Sequence, residues 1–223
     1  MLCVASSRLR YLRELGLNDN TLIVFTSDHG EMLGDHHLGA KTVFLEGSAH
    51  VPMLIRGPAH LVSPDMAGTQ SDALVCLADL LPTFLNAAGV PASAQPPGDG
   101  FDLIDVLHQR RSPRCAFVGA YSHQFCLIRD QYKYIYASAG GGELLFNLTD
   151  DPLEQRNLAG LRDCADLKAR LRSALADALA KSGNPCGAGG ELQVIKPAPK
   201  PQDMRRLRWP GLHSRDTRDD LLH

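Results

Sequence analysis

Little in these 223 residues points toward a membrane, a nucleic acid or a redox centre. No apolar run approaches the length that spans a bilayer. The longest, such as Leu22–Phe25 and Ala73–Leu81, are of core size, and the second contains Asp79. An excess of one charge is also lacking, since 23 Lys and Arg stand against 25 Asp and Glu for a net −2. Proteins that hold nucleic acid by neutralising phosphates carry a basic excess, so no nucleic-acid partner is expected. The six cysteines, Cys3, Cys76, Cys115, Cys126, Cys164 and Cys186, include no C-x-x-C pair. That disfavours a zinc knuckle or a thioredoxin-type motif and leaves them mostly as small buried hydrophobes. Met1–Ser7 has neither the basic stretch nor the apolar core of a signal peptide. Gly and Pro, 20 and 14, lie near the background of globular proteins. There are no internal repeats.

What is present reads as alternating strands and helices. Arg8–Leu15 has the pattern of an exposed helix stopped by Gly16. Thr21–Ser27 is a continuous β-rich apolar run, which predicts a strand buried on both faces in a parallel sheet. Residues 31–50 form a loop rich in Gly, His and acid, with a short helix expected near Thr42–Glu46. Val51–Arg56 reads as a second strand closed by Gly57-Pro58. Asp72–Ala88 reads as a helix interrupted at Pro82 and stopped by Gly89, and Phe101–Gln109 as a short helix. The texture then changes. Ala116–Tyr121, Phe125–Arg129, Tyr132–Ala137 and Leu144–Asn147 are short strands split by turn residues, which predicts an antiparallel sheet. Leu161–Lys181 carries leucines at helical spacing, and the chain after Ser182 reads as irregular. Asn147-Leu148-Thr149 fits a glycosylation acceptor pattern that reads as chance, and Met204–Pro210 is a small basic-aromatic cluster in the tail.

The densest chemistry lies in Thr26–Lys41. Asp28 and His29 fall where a buried strand ends, the edge at which open α/β sheets bind ligands. A carboxylate beside an imidazole can grip a divalent cation, and this donor pair suits Mn²⁺ or Zn²⁺ at least as well as Ca²⁺. Gly30 lets the backbone turn sharply. Glu31, Asp35 and Glu46 read as acceptors that fix the loop. His36 and His37 could hold a proton for a leaving group, but fit better as supporting residues of the loop.

At this point the order of motifs resembles a family. T-S-D-H-G-E-x-L-G-D-H-x-L-x-x-K over residues 26–41 is followed by F-x-E at 44–46 and V-P-x-L-I-R-G-P at 51–58. With the Ser71–Val90 segment, Tyr132–Tyr136 and Glu143–Leu158, this is similar to the carboxyl-terminal half of a sulfatase, in the alkaline-phosphatase superfamily. That superfamily includes arylsulfatases and phosphonate monoester hydrolases. The resemblance implies a partial α/β fold: a mainly parallel sheet flanked by helices, then a small antiparallel sheet with a carboxyl-terminal helix. It implies 1–110 as the later part of the catalytic domain, 111–182 as the small subdomain and 183–223 as an irregular tail. Asp28 and His29 would be metal ligands, His29 standing where many members have Asn. Lys41 would contact a sulfate oxygen and stabilise charge on the transferred group. The metal would be Ca²⁺ by family, with Mn²⁺ or Mg²⁺ as alternatives, and the substrate a small-molecule or glycan sulfate ester.

The family's nucleophile is a formylglycine made from Cys or Ser in C-x-P-x-R or S-x-P-x-R. Neither pattern occurs in these residues, and Cys3–Arg8 lacks the Pro and places its Arg one position late. The sequence therefore reads as part of a sulfuric ester hydrolase, with an amino-terminal half elsewhere. The competing readings are a phosphonate or phosphate ester hydrolase of the same superfamily and a remnant without turnover.

Overall fold

In chain order the elements are α1 (Leu2–Glu14), β1 (Ile23–Thr26), α2 (Glu46–Ala49), β2 (Met53–Arg56), α3 (Leu80–Ala87), α4 (Leu103–Gln109), β3 (Phe117–Tyr121), β4 (Gln124–Arg129), β5 (Tyr132–Ala137), β6 (Gly142–Asn147) and α5 (Ala165–Lys181). The computed structural model describes residues 2–109 and 113–195, so the Met204–Pro210 cluster lies outside the described residues. They divide into two units: one holds the chain up to Asp28 together with Pro52–Cys115, and the other holds His29–Val51 together with the chain from Ala116 onward.

In the first unit, α1 ends where expected. Gly16 takes a φ of 68°, and the amides of Gly16 and Leu17 return to the carbonyls of Arg13 and Leu12, the turn by which a left-handed glycine closes a helix. β1 and β2 form where strands were expected and pair with each other, but the parallel arrangement expected for β1 is corrected in this pair. They run antiparallel, with Ile23 opposite Arg56 and Thr26 opposite Met53. Continuous apolarity is silent on direction, and the burial expected on both faces of β1 is not found, its residues being half-buried or exposed. Among the described residues the facing pair Phe25 and Leu54 is 38% and 58% exposed.

The helix expected over 72–88 begins only at Leu80. Cys76 is extended, and a single 3₁₀ turn, Leu77–Asp79, leads in. Asp79 causes this. Its carboxylate accepts the Cys76 amide at 2.7 Å, closing the chain before the helix. Pro82 does not interrupt α3, because it falls in the first turn, where amides have no helical partner to lose. Asp79 is fully buried. Arg114 grips it with a forked pair of bonds, 3.0 and 2.8 Å, while the Phe101 amide donates to it at 2.9 Å. The guanidinium also stacks over the Phe101 ring, 5.0 Å from its centre. Burial pushes the Asp79 carboxyl up, but these donors outweigh it and hold it below its ordinary value. Thr83 continues the tie: its hydroxyl donates to the Asp79 carbonyl and accepts the Leu103 amide at the start of α4.

The second unit is built on the sheet β3-β4-β5-β6, antiparallel throughout as predicted. Alternate residues face opposite sides, and both sides are covered. Phe125, Leu127, Tyr134, Tyr136 and Leu145 pack with Leu171, Leu175 and Leu179 of α5. Cys126, Ile135 and Phe146, on the other face, pack with Met32 and Leu45 from the loop segment 29–51. Burial pushes the Cys126 thiol up to about 12. Cys186 is also buried, Cys76 and Cys164 are partly covered and Cys115 is exposed. The short helix expected at Thr42–Glu46 lies instead at Glu46–Ala49, because Thr42 takes a φ of 74° that no helix admits. Asn147 closes a turn, bonded to Asp150 and to the Thr149 amide. No helix among the described residues is long and apolar enough to cross a membrane.

Candidate functional site

Asp28 lies two residues beyond the end of β1. It is exposed, and the Ser27 hydroxyl stands 3.4 Å from its carboxylate. His29 is next in the chain and opens the second unit. There Lys41 Nζ lies 2.5 Å from His29 Nε2, across twelve positions of sequence. An ammonium only donates, so Nε2 must accept and the ring proton must sit on Nδ1. That nitrogen then donates to the Gly30 carbonyl at 2.7 Å. The pair is half-buried, so the ammonium is partly stripped of water and attracts an anion more strongly than a solvated lysine would.

Gly30 is required here by space rather than by a turn. A Cβ on it would stand 2.1 Å from the Gly47 carbonyl oxygen. Its amide donates to the Ser48 carbonyl at 2.8 Å. Met32, almost fully buried, lies beneath Gly47 and bonds through its amide to the Ala40 carbonyl. The loop thus folds back on itself, with α2 lying against the backbone that carries His29.

His36 and His37 occupy a 3₁₀ turn, Asp35–His37, with φ of 53° and 60°, and Leu33 nearby has 50°. Three non-glycine residues in that region carry backbone strain. Both histidines are exposed, and His36 Nε2 sits 3.1 Å from the Leu153 carbonyl oxygen.

Sequence reasoning did not single out Lys133 or Glu154. Both are buried, and Lys133 Nζ lies 2.8 Å from Glu154 Oε1 and bonds Glu46 Oε1 as well. Glu154 Oε2 accepts the Glu46 amide at 2.6 Å, and His50 Nδ1 contacts the other Glu46 oxygen. Glu46 of F-x-E, Lys133 of the Tyr132–Tyr136 segment and Glu154 of the Glu143–Leu158 segment therefore converge on one cluster. The signal was Glu154 itself, an acid spaced from Asp151 and Asn157, each of which bonds backbone amides of the same turn.

An oxygen from Asp28 and a ring nitrogen of His29 suit a divalent ion in kind, though the Nε2 lone pair accepts the Lys41 ammonium in this arrangement. They do not suffice in number, because among the described residues no group of three or more His, Cys, Asp or Glu gathers as a ligand set. These residues would supply part of a metal shell.

The Sulfatase family profile matches residues 6–90. A choline-sulfatase of Rhizobium meliloti is 37% identical over 147 residues, covering 63% of this chain and 27% of that protein. A protein solved in complex with its substrate D-glucosamine-2-N,6-O-disulfate superposes with a TM-score of 0.71 at 27% identity, covering 82% of this chain and 39% of the other. A phosphonate monoester hydrolase of Agrobacterium radiobacter gives 0.64 at 30% identity, with 79% and 38% covered. The chain thus spans about a third of the length of the proteins it matches.

Proposed function

Since this chain belongs to the sulfatase family, within the alkaline-phosphatase superfamily, we propose that residues 28–41 are the metal-and-lysine part of a sulfuric ester hydrolase. The observation that carries this reading is the contact of Lys41 with His29, next to Asp28 at the end of β1. Residues 1–110 would then be the later part of the catalytic domain, with 111–182 as its terminal subdomain.

The family uses a divalent metal and a formylglycine nucleophile. When bound, the metal supplies positive charge against the transferred group. Asp28 and His29 would hold it, Ca²⁺ by family, with Mn²⁺ or Mg²⁺ as alternatives. The nucleophile is not among the residues assigned here. What this chain supplies is binding and orientation. Lys41 offers three N–H donors and a full charge to the oxygens of a sulfate group. The Gly30 carbonyl holds the His29 ring through Nδ1, and Nε2 would serve the metal once Lys41 turns from it to the sulfate. His36 and His37 would support the loop. The substrate would be a small-molecule or glycan sulfate ester.

The test is binding of an aryl sulfate by the purified chain, and its hydrolysis with added metal. Lys41→Ala should abolish anion binding, and Asp28→Ala should abolish the response to metal. Indifference to both substitutions would overturn the assignment. The second reading, a phosphonate monoester hydrolase, is favoured by the 30% identity to that enzyme. The ratio of activity on aryl sulfate to that on phosphonate monoesters separates the two, and failure to turn over either would favour the remnant.

A further inference from the structure

The segment that carries His29 and Lys41 is held from beneath. α2 lies between two surfaces of its own unit. On one side the Gly30 amide donates to the Ser48 carbonyl at 2.8 Å, with no space for a side chain between Gly30 and Gly47. On the other, the Glu46 amide donates to Glu154 Oε2 at 2.6 Å, and the Glu46 carboxylate meets the Lys133 ammonium. Both sets of contacts fall within the four residues of α2, Glu46 on one side and Gly47 and Ser48 on the other, a span too short to absorb a displacement. Any shift of Glu46 therefore moves Gly47 and Ser48 and, through them, Gly30 and the ring beside it.

Lys133 and Glu154 are fixed independently of the loop. Lys133 projects from β5, which is paired on both edges. Glu154 has a φ of 56° in a turn tied down by Asp151, which accepts the Gln155 and Arg156 amides, and by Asn157, which accepts the Leu145 amide of β6. A charge pair this deeply buried is poor value for stability alone, because desolvation offsets most of its attraction.

We propose that Lys133 and Glu154 are positioning residues for the His29–Lys41 pair: they set the height of α2, and α2 sets the backbone at Gly30. The proposal rests on the reading of His29 and Lys41 as site residues, but its test needs neither metal nor sulfate. Amide exchange of the full chain is followed with the ¹⁵N shifts of the His29 ring, which report the nitrogen carrying the proton. In Glu154→Ala the Gly30 and Glu46 amides should exchange at least tenfold faster while those of β4 and β5 hold their rates. The His29 ring should lose its single Nδ1–H form. Glu154→Gln keeps a carbonyl acceptor for the Glu46 amide and should restore both. If Glu154→Ala does not fold, Glu46→Gln, on a partly exposed residue, should show the same pattern in weaker form. Wild-type exchange at Gly30, or acceleration shared equally by the sheet with no rescue by Gln, would overturn the proposal. Loss of sulfate binding by Lys41 is not part of the readout, so failure of the functional reading would be seen separately.

Discussion

Lys133 and Glu154 meet 2.8 Å apart in a place that water does not reach, and neither belongs to the segment they hold. Removing one partner of such a pair strands the other in a low-dielectric interior. Lys133→Met would leave the carboxylates of Glu46 and Glu154 facing each other with no cation between them. The expected loss is about 3–5 kcal/mol of stability, read from urea titration at neutral pH. A loss below about 1 kcal/mol would show that water enters the cluster freely.

Asp79 gives a prediction about acid. Its folded carboxyl titrates below its ordinary value of 3.8, so its contribution is complete above that value and is lost as pH falls through the lower, folded one. Asp79→Asn should remove this dependence, flattening the fall in stability below pH 3.8. It should also cost about 1.5–3 kcal/mol at neutral pH, the worth of a hydrogen bond to a charged group. Denaturant midpoints for both proteins across that range decide it. A parallel fall in the two would put the acid sensitivity elsewhere.

Gly30→Ala places a methyl group 2.1 Å from the Gly47 carbonyl oxygen, against backbone rather than a flexible side-chain tip. The loop must open to admit it. The expected cost is about 1–3 kcal/mol, together with weaker anion binding at Lys41. Gly39→Ala, where a Cβ meets nothing within 4 Å, is the control and should be nearly silent. Thermal unfolding and sulfate titration of the two variants give the comparison.

The cysteines separate by reactivity. Attack requires the thiolate, and the Cys126 thiol is both buried and pushed up to about 12. Cys115 is exposed. Titration of the native chain with an aromatic disulfide at pH 8 should label Cys115 within minutes and leave Cys126 untouched until denaturant is added. Prompt labelling of Cys126 would mean that the loop covering that face of the sheet opens readily.

The strands β3 to β6 were legible because turn residues mark every reversal and the register follows from short connections. The direction of β1 against β2 was not, because an all-apolar strand looks the same in either orientation. The helix after Asp72 was overextended for a local reason: its pattern is helical, but the Asp79 carboxylate captures the Cys76 amide, and the partner that buries it, Arg114, lies 35 residues away. The motif that spaces His29 and Lys41 was legible, and the two side chains meet across it. Lys133 was hidden because a lysine between tyrosines in an alternating strand reads as the solvent-facing residue. Here a second layer of protein covers that face, and no local pattern announces such a layer.

The spacing of the clamp also bears on how the chain is made. Glu46 lies 108 residues ahead of Glu154, and 87 ahead of Lys133. A ribosome adding about 5–20 residues per second completes the loop several seconds before it completes the residues that hold it. Through that interval Met32 and Leu45 have no sheet to cover. A nascent chain stalled between residues 51 and 116 carries every residue of the proposed site and lacks the sheet against which that loop is seated. Protease sensitivity of the loop in stalled chains should end only once the strand carrying Lys133 and the turn carrying Glu154 have both emerged.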